Sequence, residues 1–164
     1  MIRLLVLDVD GCMTDGRIVY TNEGDELKAF DVKDGFAIVN WLRLGREAAI
    51  ITGRRSGIVT RRAEELGISH LYQGVTDKLA TLQRLCLERG IALDEVAAIG
   101  DDLNDYRLLK ACGRSFVPDD AHHRVAAIAD VVLSHKGGEG AVREMIELLI
   151  REEGLEEEYL SRWL

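Results

Sequence analysis

The sequence predicts an open α/β fold, a parallel sheet with helices on both faces, and two observations carry that prediction. Short apolar runs recur along the chain, and helix-like stretches separate them. Leu4 to Val9, Ala48 to Thr52, Val96 to Gly100, Arg114 to Val117 and Val131 to Leu133 read as buried strands, because they are short, partly β-branched and bounded by Gly or Asp. Helices are expected from about Gly35 to Leu44, Ser56 to Leu66, Lys78 to Arg89, Asn104 to Cys112 and Gly140 to Glu153. In such sheets ligands sit beyond the carboxyl ends of the strands, and Asp8, Thr52 and Asp101 all fall there.

One stretch interrupts the alternation. Arg17 to Thr21 and Glu26 to Phe30 flank Asn22-Glu23-Gly24-Asp25, which predicts a β-hairpin inserted after the first strand, over about residues 15–30. A lone hairpin is marginal in water, so it is expected to pack on its own domain or on copies of itself. After Gly154, Leu155, Tyr159, Leu160, Trp163 and Leu164 recur at helical spacing opposite Glu156, Glu157 and Glu158. This tail, residues 154–164, is expected to cover its own core rather than dock on a neighbour.

Composition limits what the chain can be. With 164 residues, 47% of them hydrophobic, it is expected to form one domain spanning 1–164. A net charge of −8 with no basic stripe argues against a nucleic-acid partner, and no run is long enough for a membrane span. Cys12, Cys86 and Cys112 lack a zinc-type spacing and are odd in number, which points to a reducing cytoplasm.

The chemistry gathers in four short segments. Asp8 ends an apolar strand and Asp10 follows before Gly11, so one carboxylate can attack while the other handles protons. A calcium loop would also begin Asp-x-Asp-x, but Cys12 and Thr14 hold the next alternate positions and a strand precedes. Thr52 and Gly53 close the second strand, offering a hydroxyl and backbone N–H groups to a phosphate, while Ser56 competes for the helix cap. Lys78 stands at a helix start, where the dipole disfavours a cation, so a charged partner in the cleft is expected. Gly100-Asp101-Asp102-Leu103-Asn104-Asp105 places three acids in five residues, which suits magnesium; Asp101 is assigned to the metal, Asp105 to support, and one or two of the acids to capping the next helix. His70, His122, His123 and His135 form no nucleophile or metal pattern. Cys12 sits beside the catalytic loop, where packing as a small residue is the favoured reading and an oxidation that impairs activity the alternative.

Taken together, Asp8-x-Asp10, Thr52, Lys78 and Gly100-Asp101-Asp102-x-x-Asp105 resemble the haloacid dehalogenase-like phosphatases. DVDGCMTDG from Asp8, DVKDG from Asp31, ITGR from Ile51, LYQG from Leu71 and GGEGAVRE from Gly137 look like the small capless branch of that family, which acts on acidic sugar phosphates. The resemblance implies a Rossmann-like sheet without a cap domain and a magnesium-dependent phosphatase. Asp8 would be nucleophile and metal ligand, and Asp10 acid, base and metal ligand through its carbonyl. Asp101 would complete the metal ligands; Thr52, Gly53 and Lys78 would hold phosphate. Asp31, Val32, Lys33, Asp34, Gly35, Arg54, Arg62 and Asn104 would contact substrate, with Asp102 and Asp105 in support.

The substrate it implies is an eight-carbon acidic sugar phosphate used in lipopolysaccharide precursor synthesis, with a nine-carbon sugar phosphate as the alternative. Lys33, Val39 and Glu139 depart from the family pattern. Neither gap between the catalytic segments has room for a lid, so the site must take a bulky exposed substrate or borrow walls from another subunit; the resemblance implies the second, a homotetramer with active sites near subunit boundaries and Arg143 approaching a neighbour's site. A receiver-type phosphoacceptor switch would also be small, acidic and lysine-bearing, but it places paired acids after strand one and its acceptor after strand three; here Asp-x-Asp comes first and the Asp-rich loop late.

Overall fold

The computed structural model describes residues 1–164. Six parallel strands form one sheet in the order β5-β4-β1-β6-β7-β8: β5 is His70–Tyr72, β4 Glu47–Ile51, β1 Leu4–Leu7, β6 Val96–Ile99, β7 Arg114–Val117 and β8 Val131–Val132. Strand β1 is central, with Leu5 paired to Ala48 on one side and Ala97 on the other. Chain order departs from spatial order at β1, and that reversal opens a crevice at its carboxyl end.

Alternation along β1 sets the two layers. Leu5 and Leu7 face a core shared with α1 (Val32–Arg43), α2 (Gly57–Leu66) and α6 (Ala141–Glu152); Leu4 and Val6 face a second core under α3 (Lys78–Arg89), α4 (Tyr106–Ala111) and α5 (His123–Ala126). Both faces are buried, which explains why the strands read as continuous apolar runs. Caps fix the helix starts. Asp31 accepts from the N–H groups of Lys33 and Asp34, Ser56 from Ile58, and Asp77 from Ala80.

The five strands expected in the main sheet are all present, each within two residues of its predicted ends. β1 stops at Leu7 because the chain turns immediately after Asp8, with Gly11 at φ +98°. β5 has no sequence signal: three half-buried residues on a sheet edge leave no apolar run, and the pairing of His70, Leu71 and Tyr72 with Ala49, Ile50 and Ile51 defines it. The hairpin pairs only Val19 with Leu27 and Tyr20 with Glu26, as β2 (Val19–Tyr20) and β3 (Glu26–Leu27). No cap domain is inserted. The tail forms α7 (Glu156–Leu160), buries Tyr159 and lays Trp163 on Phe36 at 4.9 Å, while Leu160, Trp163 and Leu164 stay exposed. No helix is long and apolar enough to cross a membrane.

Candidate active site

The ends of β1, β4 and β6 converge on a cleft of about 190 Å³ lined by Asp8, Asp10, Thr52, Gly53, Arg54, Asp101, Asp102 and Asn104. Asp8 is 6% exposed and its N–H still donates to the Ile99 carbonyl at 3.2 Å, so the carboxylate rides on the central strand. Thr52 is held the same way, its N–H donating to Tyr72 and its carbonyl accepting from Val75. Ser56 takes the helix cap, which leaves the Thr52 hydroxyl to the cleft.

Lys78 explains itself here. Its Nζ donates to Asp8 Oδ1 at 2.8 Å and to Asp105 Oδ1 at 2.5 Å, and the residue is 2% exposed. Burial alone would pull the ammonium's pKa down, but the two carboxylates more than offset it and push it above its ordinary range. The amine therefore supports the Asp8 carboxylate without itself lining the cleft. Asp105 also accepts from the N–H groups of Asp101 and Asp102, shaping the loop, while Asp102 accepts from the Leu103 N–H and starts a short helical turn. Two of the three acids thus serve the loop, as expected, and Asp101 is left for a ligand. The His122 N–H donates to the Asp101 carbonyl at 2.8 Å and locks its backbone.

The donor set fits a divalent cation. A carboxylate oxygen of Asp8, one of Asp101 and the Cys12 sulfur all lie within 4.8 Å of one another. Burial first, then the charges of Asp8 and Asp105, raise Asp101 to about 8; burial and Asp105 likewise raise Asp8. Buried acids this close repel, and a hard cation bound by both oxygens removes that penalty. The backbone is shaped for the same contact, since a Cβ on Gly11 would lie 2.0 Å from Asp101 Oδ2. The Cys12 thiol is fully buried and raised well above its ordinary value, by burial and then by Asp8 and Asp101, so it stays protonated and packs in the core.

Other expected residues lie elsewhere. Arg54 and Asn104 line the cleft, but Asp31 to Gly35 and Arg62 do not. Asp31 caps α1; Asp34 is buried and accepts from the Arg143 N–H at 2.9 Å; a Cβ on Gly35 would strike Arg62 Nη2 at 2.4 Å. Arg62 itself lies over the Phe30 ring at 5.5 Å. Lys33 borders a separate charged cavity of about 600 Å³ with Asp31, His135, Glu139 and Arg143. The GGEGAVRE glycines meet their own chain: Gly138 donates to the Cys12 carbonyl, and a Cβ on Gly137 would sit 1.8 Å from the Gly11 oxygen. Arg143 pairs with Glu147 at 2.6 Å.

One residue beside the cleft has no signal in the sequence. Lys28, just after β3, reaches Asp10 Oδ1 at 2.5 Å, although a lysine in a short edge strand reads as a solvated residue.

A carboxylate carried by the central strand, a buried lysine bonded to it and an acidic loop at the next strand end give an α/β-fold protein with an acidic cleft of the hydrolytic kind. The sequence profile of haloacid dehalogenase-like hydrolases matches residues 43–146, and the chain belongs to that family. Its relatives within the family are sugar-phosphate phosphatases. It is 46% identical to the 3-deoxy-D-manno-octulosonate 8-phosphate phosphatase of Escherichia coli K12 over 153 residues, 93% of this chain and 81% of that protein. The fold superposes with a TM-score of 0.97, at 40% identity, on the Moraxella catarrhalis 3-deoxy-D-manno-octulosonate 8-phosphate phosphatase in complex with magnesium, phosphate and KDO, covering 99% of this chain and 94% of that one. The cobalt-bound Haemophilus influenzae enzyme superposes at 0.89 with 37% identity, covering 93% and 90%.

Proposed function

We propose that this chain is a magnesium-dependent phosphatase that hydrolyses 3-deoxy-D-manno-octulosonate 8-phosphate to the free sugar acid and phosphate. The observation that carries this reading is the Asp8 carboxylate held on the central strand by Lys78, with Asp10 and Asp101 in the same cleft. Asp8 attacks phosphorus while the bond to the sugar oxygen breaks, and Asp10 gives that oxygen a proton. Asp10 then takes a proton from water, which attacks the phosphorus of the aspartyl phosphate and returns Asp8 as a carboxylate. Thr52 and Gly53 hold the transferring oxygens, and Lys78 balances the charge of Asp8 from behind. Magnesium, held by the Asp8 and Asp101 carboxylates and the Asp10 carbonyl, would offset the charge of the phosphoryl oxygens.

Arg54 and Asn104 are the substrate contacts this reading keeps. The remaining walls are assigned to neighbouring subunits of a homotetramer in the cytoplasm, with residues 1–164 as one catalytic unit. Two features support the assembly. A cleft of about 190 Å³ suits a phosphate better than an eight-carbon acid, and the hairpin exposes Ile18, Val19, Tyr20 and Leu27. Free Cys12, Cys86 and Cys112 agree with a reducing compartment.

The test is phosphate release from eight- and nine-carbon sugar phosphates, with magnesium and with a chelator. The eight-carbon substrate should lead in kcat/KM by about tenfold or more, and chelation should abolish turnover. A preference for the nine-carbon substrate would overturn the assignment.

A further inference from the structure

The hairpin reaches the cleft through one buried cation. Lys28 Nζ lies 2.5 Å from Asp10 Oδ1 and 3.1 Å from Glu26 Oε1, and its side chain is 1% exposed. Glu26 in turn lies 3.4 Å from Arg54 Nη2, and the same guanidinium reaches the Tyr20 hydroxyl at 3.4 Å. An ammonium removed from water between two carboxylates is costly unless its geometry is well satisfied, which separates Lys28 from an ordinary solvated edge lysine. Asp10 has the opposite problem. It sits on a turn just before Gly11, partly exposed and facing the cleft, so its carboxylate needs an external partner to hold one orientation.

We propose that Lys28 is the positioning residue for Asp10: by holding Oδ1 it aims the other carboxylate oxygen at the leaving group. This rests on the reading of Asp10 as proton donor. During transfer the Asp8 oxygen bonds phosphorus, the bond to the sugar oxygen breaks, and the proton passes from Asp10 to that oxygen. Lys28 gives up no proton. Its contribution is alignment, and general-acid catalysis depends on the donor lying within hydrogen-bond reach of the departing atom. The hairpin then becomes part of the catalytic apparatus of its own subunit, in addition to any role in assembly.

The experiment compares a sugar phosphate, whose alkoxide leaving group needs a proton, with p-nitrophenyl phosphate, whose phenolate leaves without one. The magnesium-loaded enzyme is used, and kcat/KM is read because it reports the step up to phosphoryl transfer and excludes later hydrolysis. Lys28→Met should lower the value for the sugar phosphate about 10- to 100-fold and that for p-nitrophenyl phosphate by less than about threefold, the same bias as Asp10→Asn in weaker form. Equal falls on both substrates, or no fall, while Asp10→Asn still discriminates, would overturn the positioning role. An Asp10→Asn variant that treats both substrates alike would overturn the role given to Asp10, and the Lys28 proposal with it. If the methionine variant does not fold, Lys28→Gln, a neutral donor one atom shorter that cannot reach Asp10, gives the same comparison.

Discussion

The strand-end cluster around Asp8 and the face where α1 meets α6 are both built from dense motifs, and they use their charges in opposite ways. At the strand ends, Lys78 is shared by Asp8 and Asp105, and Asp101 stays close without a cation of its own. At the α1–α6 face, Asp31 caps a helix, Asp34 takes the N–H of Arg143, and Arg143 pairs with Glu147. The first arrangement leaves carboxylate oxygens facing a cleft. The second keeps most of its hydrogen bonds inside its own helices and joins the two helices once, at Asp34. A dense polar motif therefore marks either chemistry or packing, and what separates them is whether the oxygens left free face a cleft or lie buried, as Asp34 Oδ2 does.

Breaking the first region should have the largest effect. Asp8→Asn removes the nucleophile but keeps the side chain's shape, so turnover should fall by about 10⁴-fold or more while the thermal unfolding midpoint stays near that of the parent. Turnover retained by that variant would remove Asp8 from its role.

Gly137→Ala tests the seam between the regions. Its Cβ would lie 1.8 Å from the Gly11 carbonyl oxygen and 2.9 Å from that of Thr14, and both are backbone atoms that cannot swing away. The variant should lose about 3 kcal/mol or more of stability, read by chemical denaturation, together with activity, because the catalytic loop must move. A neutral result would mean that the loop and the glycine turn are not in close contact.

The smallest effect is expected within the second region and is read by pH. Burial, with the charge of Asp31 adding to it, raises Asp34 from 3.8 to about 6, against the opposing pull of the Arg143 N–H. The folded state then binds more protons than the unfolded one between those values, so this contribution to stability falls as pH rises from 3.8 to about 6 and is level above. Asp34→Asn keeps an acceptor for the Arg143 N–H and cannot ionise. Its melting temperature relative to the parent should rise across that window by several degrees, and a difference independent of pH would show that the carboxylate ionises without penalty.

Much of this was legible in the sequence because both signals are local. Strand runs bounded by Gly or Asp give the order of elements, and in a parallel sheet the residue after each run must fall in the crevice, which places Asp8, Thr52 and Asp101 together. Lys78 was legible as a cation at the wrong end of a dipole. What escaped depends on contacts between distant segments. Lys28 meets Asp10 only because a short hairpin folds back across the strand ends, and no periodicity encodes that. The segment from Asp31 to Gly35 is marked as a substrate contact by family resemblance alone, and it does not line the cleft of its own chain. Within this chain Asp31 caps α1 and Asp34 Oδ1 takes the N–H of Arg143, 109 residues away, while Asp34 Oδ2 is buried without a partner. The close approach of Gly137 and Gly138 to the loop of Gly11, Cys12 and Thr14 joins two segments far apart in the chain, and nothing local in the sequence encodes it.

The position of β1 governs how activity is lost. Its ladder is closed on both flanks, by β4 and by β6, and the Asp8 amide continues the bonding to Ile99. Amide protons there can exchange with solvent only when the whole sheet opens, so the nucleophile's support disappears with global unfolding and not before it. The two-pair ladder of the hairpin has no such protection. Heating or mild denaturant should therefore loosen the surroundings of Asp10 first, giving an intermediate regime in which Asp8 is still in place but the proton donor's partner is not.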